Sequence, residues 1–471
     1  MRGLNALGID GAVSFAFLAR VINIVGSTGT VLLIVRVLSP VEQGYYYTLL
    51  SLVSLQLVFE LGFSFVVQQL AAHECVHLRI AADGKIAGDA AAHGRLASAL
   101  QFSLRWYTVA AAAMGLTVAP LGMMFFSSHA APEAANVHWQ APWLFAIAAS
   151  MAGLWCLPFY SFLEGCGEVR AVAAMRLRQA LAALLLAWAA MLSHHGLYAP
   201  GLVIAGQVGA GSHFLMGRRR LLAGLLRHPA RDAVIRWSSE VWPFQWRIAV
   251  SWMCSYFTVQ AFIPIVFALR GAVEAGQLGM SLSIAGYMTV LALVWTSTKA
   301  TAFAQMIARG EFESLDRLFF HALRQSMVVF AALALAAIAV AALLPQAAPR
   351  LAARMVPAWI FAVLVLAAGA SHIVQSLAIV LRCFKREPFL GQSLLVAALT
   401  VLAASAAVPT MGDAGAAIGY LFANGCVGLP VACLIFARRR NEYRDDSGLP
   451  RRRHLGSSPL ALQSEARRLP L

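Results

Sequence analysis

Runs of about eighteen or more apolar residues, nearly free of charge, recur from Gly11 to just before Arg438. This pattern constrains the fold more than any other feature. In lipid a backbone must satisfy its own polar groups, and a helix does so within one segment. At about 1.5 Å per residue, twenty residues cross a hydrocarbon core of about 30 Å. Only 12% of the chain is charged, against roughly 25% in soluble domains. No stretch between the runs is long enough for a soluble core of its own. The fold class expected is all-α: a polytopic membrane protein of about twelve transmembrane helices.

Spans are predicted at 11–35, 44–70, 102–126, 141–163, 179–195 and 199–217. A second set follows at 241–268, 278–305, 325–345, 356–381, 391–409 and 414–437. The first run competes with a signal peptide, since Arg2 precedes it. It extends to about Val35, contains Arg20 and lacks a small-residue cleavage site, so it is read as a retained span.

Orientation follows from charge. With the amino terminus inside, 28 of the 36 Lys and Arg residues fall in cytoplasmic segments. The outer loops hold Arg36, Arg270, Arg350 and Arg354. That bias is the positive-inside rule, and it places both termini in the cytoplasm. The net charge of +15 is therefore topology and does not point to nucleic acid. The tail carrying Arg438, Arg439, Arg440, Arg451, Arg452 and Arg453 is expected to rest on anionic lipid or to be disordered. Arginine outnumbers lysine 33 to 3, a usage that suggests a GC-rich bacterial genome. The seven cysteines form no C-x-x-C pair and read as small apolar fillers.

The basic segment 218–236 divides the chain near its middle. Residues 1–217 would form one six-helix lobe and 218–437 a second, followed by the tail 438–471. The first outer loops match: Val41-Glu42-Gln43-Gly44 after Arg36, and Val273-Glu274-Ala275-Gly276 after Arg270. Each half also opens with one arginine inside its first span, Arg20 and Arg247. Two halves that start on the same side imply a parallel duplication about an axis along the membrane normal.

An arginine within a span costs at least ~2.5 kcal/mol on insertion scales, so it faces protein or water. One reading is snorkelling or a structural ion pair, with Glu60 as a possible partner. The other is a cavity that binds an anion, with the planar guanidinium holding phosphate oxygens bidentately. Lys299 could add a second cationic contact and Glu60 could couple or gate, or both could be helix-end residues near the interface. His372 and Gln375, on one helical face, read as inter-helix hydrogen bonds. Tryptophans 139, 143, 237, 242 and 359 read as interface belts.

The sequence has no phosphate-binding Walker motif, no H-E-x-x-H and no G-x-S-x-G, and no cluster with metal-ligand spacing. No cofactor, metal or catalytic residue is expected. The pattern points to a transporter, not an enzyme.

One stretch is more specific. Arg36-Val37-Leu38-Ser39-Pro40-Val41-Glu42-Gln43-Gly44-Tyr45-Tyr46 is followed by Glu60-Leu61-Gly62 and Gln68-Gln69-Leu70-Ala71. It resembles the opening of the Wzx-type polysaccharide flippases, in the superfamily that includes the MATE multidrug exporters and the lipid II flippase. The motif covers the first 75 residues; beyond them the likeness rests on span count and the six-plus-six layout. The resemblance implies two lobes around a central cavity that opens alternately to the two sides of a bacterial inner membrane. It also implies an undecaprenyl-diphosphate-linked oligosaccharide as substrate, with Arg20 and Arg247 the positions that fit a diphosphate contact. Membrane lipids and other polysaccharide-assembly membrane proteins are the partners expected. Two departures stand out: Glu60 where Asp or a neutral residue is common, and the lack of the lipid II flippase's extra helix pair. The rival readings are a multidrug-type cation antiporter, which needs acidic cavity residues, and a polysaccharide polymerase or ligase, which needs a large outer loop.

Overall fold

In the computed structural model the described residues are 11–75, 78–80, 86–129, 136–228, 235, 237, 241–384 and 388–446. They form an all-helical bundle with one short antiparallel hairpin, β1 (Leu78–Ile80) and β2 (Ile86–Gly88). Twelve helical segments follow the expected order. The first six are Gly11–Val37, the bent pair Pro40–Glu60 and Phe63–Cys75, Ala90–Ser128, Gln140–Gly165, Val169–Leu192 and Ala199–Met216. The second six are Gln245–Arg270, Ala272–Ile307, Phe312–Ala347, Ala358–Arg382, Leu390–Met411 and Asp413–Glu442. They are called spans one to twelve below.

The motif of the second span has a plain physical reading. Ser39 caps the helix: its side chain accepts from Glu42 N–H at 3.1 Å, while Glu42 accepts from Ser39 N–H at 2.8 Å. This is a capping box, with Pro40 in the first turn where a missing N–H costs nothing. Pro40 thus starts the span sharply after Val37, and the chain reverses within a few residues.

The helices sort into two lobes by their contacts. In the first lobe, span one packs on five, two on three and four, three on four, four on six and five on six. Each pairing has its counterpart six spans later: seven on eleven, eight on nine and ten, nine on ten, ten on twelve, eleven on twelve. The duplication expected from the matched loops is thus present in the packing.

Several edges differ from the sequence expectation. The third span begins at Ala90, capped by Asp89, so the expected start at 102 is twelve residues late. Arg105 is therefore the sixteenth residue of its helix and not near its start. The basic segment after span six contains the helix Arg219–Arg227, whose Leu221, Leu222 and Leu225 are buried. Span twelve passes through a π-helical stretch, Phe422–Gly428, and its last helix continues to Asp446. Arg438, Arg439 and Arg440 are thus helical, and Arg440 pairs with Asp316. The expected disordered tail can begin only at 447, outside the described residues.

Trp139 and Trp143 also correct the expectation of an interface belt. Both are buried, Trp143 because Gly122 leaves the indole room on the third span and Ala119 accepts its N–H at 3.0 Å. Trp242 and Trp359 remain exposed. His372 is buried and shares a hydrogen bond of 2.8 Å with Ser326, which donates to the Ala292 carbonyl at 2.6 Å. This ties spans eight, nine and ten together, as inter-helix polar groups do. Gln375 is exposed.

Candidate functional site at the lobe junction

The bundle has two end faces. The short-loop face carries Arg36, Arg270, Arg350 and Arg354; the basic face carries the clustered cations of the opposite ends.

On the short-loop face the lobes meet at the matched loops. Gly44 of span two lies against Ala272 and Gly276 of span eight, and a Cβ at Gly276 would lie 2.9 Å from Gly44 N. A Cβ at Gly44 would be driven into the Ala272 carbonyl. Only glycine lets two backbones approach this closely. Span two thus packs on its own repeat counterpart, so the duplication axis passes between Gly44 and Gly276.

A polar latch surrounds this contact. Gln43, 1% exposed, donates through Nε2 to the Gly276 and Arg354 carbonyls, both at 2.9 Å. The Arg354 guanidinium donates back to the Leu38 carbonyl at 2.5 Å and to Gln43 Oε1 at 3.3 Å. Burial lowers the pKa of Arg354 from its usual value, while Glu42 opposes that shift. Deeper in, Ser51 donates to the Gln260 carbonyl at 2.5 Å, where span seven breaks between Val259 and Phe262. Tyr45, Phe126 and Phe267 close the same region, with the Tyr45 and Phe267 rings 5.0 Å apart.

Toward the basic face the second span breaks. Leu61 and Gly62 both adopt left-handed backbone, φ 55° and 64°, and the helix bends by 42°. The break frees the Leu61 carbonyl, which accepts from Gln245 Nε2 of span seven at 2.8 Å. Gly62 lies under Ile248 and Trp252 of the same span; a Cβ there would stand 2.7 Å from Ile248. Glu60, 8% exposed, sits at the break and accepts from Ser64 at 2.6 Å. A broken helix with a buried carboxylate and a freed carbonyl is the arrangement that membrane transporters use to hold a cation or proton.

Gln56, one turn before Glu60, lines a cavity of ≈ 360 Å³ inside the first lobe, with Tyr160, Arg176, Gln179 and Gln207. Arg176 is paired with Glu164 at 2.5 Å.

Arg247 is the sixth residue of the helix beginning at Trp242, about 8 Å along it. It is exposed and lies over Trp246 at 5.6 Å. It stands two positions from Gln245, so it does not share a face with the side chain that meets the Leu61 carbonyl. Lys299 is exposed and sits where span eight breaks between Ser297 and Ala300. Arg20 is the tenth residue of span one, and its side chain lies outside the described residues. The structure brings Glu60 to span seven, but it does not bring Arg247 or Lys299 to Glu60. Among the described residues no carboxylate lies within ion-pair distance of Arg247 or Lys299. From sequence Gln43 entered only as part of the repeated loop and Arg354 only as one of four outer-loop arginines, and Gln245 was not singled out. The scarcity of arginine on the short-loop face was the signal that Arg354 offered.

No protein-family model matches the sequence, and no curated protein is recognisably similar to it. Solved structures do match. An inward-facing multidrug resistance MATE family transporter of the MOP superfamily superposes with a TM-score of 0.58 at 14% identity, over 92% of this chain and 100% of that one. The fold is that of the MATE transporters. A eukaryotic MATE transporter, AtDTX14, gives 0.55 at 13% identity over 93% and 100%. The Vibrio cholerae MATE transporter VcmN in its bent form gives 0.54 at 15% over 92% and 99%. The MATE fold has twelve helices in two lobes, as found here. At these identities the likeness speaks for the fold alone.

Proposed function

We propose that this chain is an alternating-access transporter of a bacterial inner membrane, with both termini in the cytoplasm. Its cargo is a polyprenyl-diphosphate-linked oligosaccharide, carried from the cytoplasmic to the periplasmic leaflet for surface polysaccharide assembly. The headgroup enters between the lobes while the polyprenyl tail stays in lipid.

The observation that carries the choice of an anionic cargo is the place of two cations on the spans that pack against the first lobe. Among the described residues Arg247 and Lys299 have no carboxylate within ion-pair distance, and they stand on spans seven and eight, which pack against span two of the first lobe. Cations kept free in such places suit a diphosphate. The MATE fold and the latched short-loop face support alternating access, and Glu60 at the broken span suits coupling.

Glu60 also favours a second reading, an ion-coupled antiporter of cationic drugs, because it is a buried acidic group at the lobe junction. One experiment separates the two. The Arg247→Ala/Lys299→Ala protein, reconstituted in vesicles, is assayed for binding of polyprenyl diphosphate and for proton-driven efflux of a cationic dye. The flippase reading expects wild-type protein to bind the diphosphate, the double variant to bind at least about tenfold more weakly, and neither to move the dye. Dye efflux that survives in the double variant and fails in Glu60→Gln would overturn it in favour of the antiporter. Arg20→Ala extends the same test to the first lobe.

A further inference from the structure

Spans two and four end side by side on the basic face. There the Sγ atoms of Cys75 and Cys166 are 2.8 Å apart. The helices touch backbone to backbone just before this point. Gly165 lies against the Gln68 carbonyl, and a Cβ added to it would lie 2.8 Å from Ala71 Cβ. A disulfide needs a sulfur separation of about 2.05 Å and closely spaced Cα atoms, so these thiols need only a small approach. Both are half-buried, and so remain open to a small reagent. The carboxylates flanking them are neutralised: Glu74 by Arg95 at 2.8 Å and Glu168 by Arg218 at 2.5 Å. At 2.8 Å either thiol can donate to the other's thiolate, the form that attacks a disulfide.

We propose that Cys75 and Cys166 are a reversible disulfide switch that staples the lower half of span two to span four. The oxidant is a small disulfide of the glutathione class. One cysteine thiolate attacks a sulfur of oxidised glutathione and releases one glutathione thiolate. The second cysteine, after losing its proton, attacks the mixed disulfide and releases the other. Two protein thiols thus lose two electrons and two protons, and one oxidised glutathione becomes two reduced ones. In a reducing cytosol such a bond is transient, as a sensor requires. Its consequence rests on the transport reading above. Phe63–Cys75 hangs from the left-handed break at Leu61 and Gly62, and the staple fixes that segment in its bent position against span four.

The test uses the full chain in lipid nanodiscs, treated with oxidised glutathione, alkylated, digested and read by mass spectrometry. The expected product is a peptide joining Cys75 to Cys166, removed by dithiothreitol and missing in Cys75→Ser and Cys166→Ser. Thiols found alkylated, or each carrying its own glutathione without a link, would overturn the site. In vesicles, the linked wild-type protein is expected to move its cargo about tenfold more slowly, with recovery on reduction, while Cys75→Ser ignores the oxidant. An unchanged rate in the linked protein overturns the switch and leaves the transport reading standing. No transport in either redox state overturns the transport reading, while the linked peptide still establishes the site.

Discussion

The two ends of the lobe junction are built differently. On the short-loop face, span two meets its repeat counterpart through Gly44 and Gly276, backbone on backbone, and Gln43 and Arg354 exchange hydrogen bonds across it. Toward the basic face, the described contact between spans of the two lobes is narrower: span seven on the broken part of span two, with Gln245 on the Leu61 carbonyl. The first contact is close-packed and reciprocal. The second rests on one neutral hydrogen bond and the Gly62 contact with Ile248 and Trp252. A transporter must open one end while the other holds. Under the transport reading proposed above, the difference makes the short-loop face the closed gate and the bend at Leu61 the place where movement can occur.

The comparison can be broken most severely at Gly44. Alanine there puts a methyl into the Ala272 carbonyl, and overpacking of this kind costs roughly 1–3 kcal/mol. Gly44→Ala is expected to lower the thermal unfolding midpoint in detergent and, in a protein lacking its native cysteines, to make Ser39→Cys reactive to an impermeant thiol reagent. Unchanged stability together with unchanged reactivity would mean that the glycine contact is not the seal.

Arg354→Ala comes next. It removes two charge-assisted donors from Leu38 and Gln43, each worth about 1.5–3 kcal/mol at most. A loss of even 1.4 kcal/mol shifts the closed-to-open ratio about tenfold. The expected outcome is a larger open population by pulsed spin-label distances; a distribution like that of wild type would contradict the latch.

Gln245→Ala should be milder, about 0.5–1.5 kcal/mol for one neutral bond. It is expected to leave the short-loop distances alone and to speed amide exchange near Leu61 and Gly62. Smallest in its effect on fold is Glu60→Gln, which keeps a partner for Ser64 and removes the charge. Its expected signature is transport that no longer varies with an imposed pH gradient, at normal protein levels. Transport that keeps its pH dependence would remove Glu60 from coupling.

The spans were legible in the sequence because hydropathy and backbone satisfaction in lipid leave few choices. The duplication was legible in two repeated loops, and the repeated glycines turned out to be the contact itself. The breaks were not legible. Leu61 is an ordinary apolar residue held in a left-handed conformation by what packs on it, and Ser297-Thr298-Lys299 carries no breaker at all. Trp143 was misread because a tryptophan near a span end looks interfacial unless one knows that Gly122 faces it. Cys75 and Cys166 were taken as fillers, since nothing local relates residues that far apart in the chain. Arg247 was expected at depth with Arg20; its surroundings depend on which face of span seven turns to span two, which periodicity alone does not fix.

The most direct test places nitroxides at Ser39→Cys and Ala353→Cys in a protein lacking its native cysteines, reconstituted in nanodiscs. Ser39 adjoins the Leu38 carbonyl that Arg354 holds, so the pair reports the latch. Without cargo a single short distance is predicted, and with polyprenyl-diphosphate-linked sugar a second, longer population joins it. One unchanged short distance under both conditions, in protein that still moves the lipid between leaflets, would contradict alternating access through this gate.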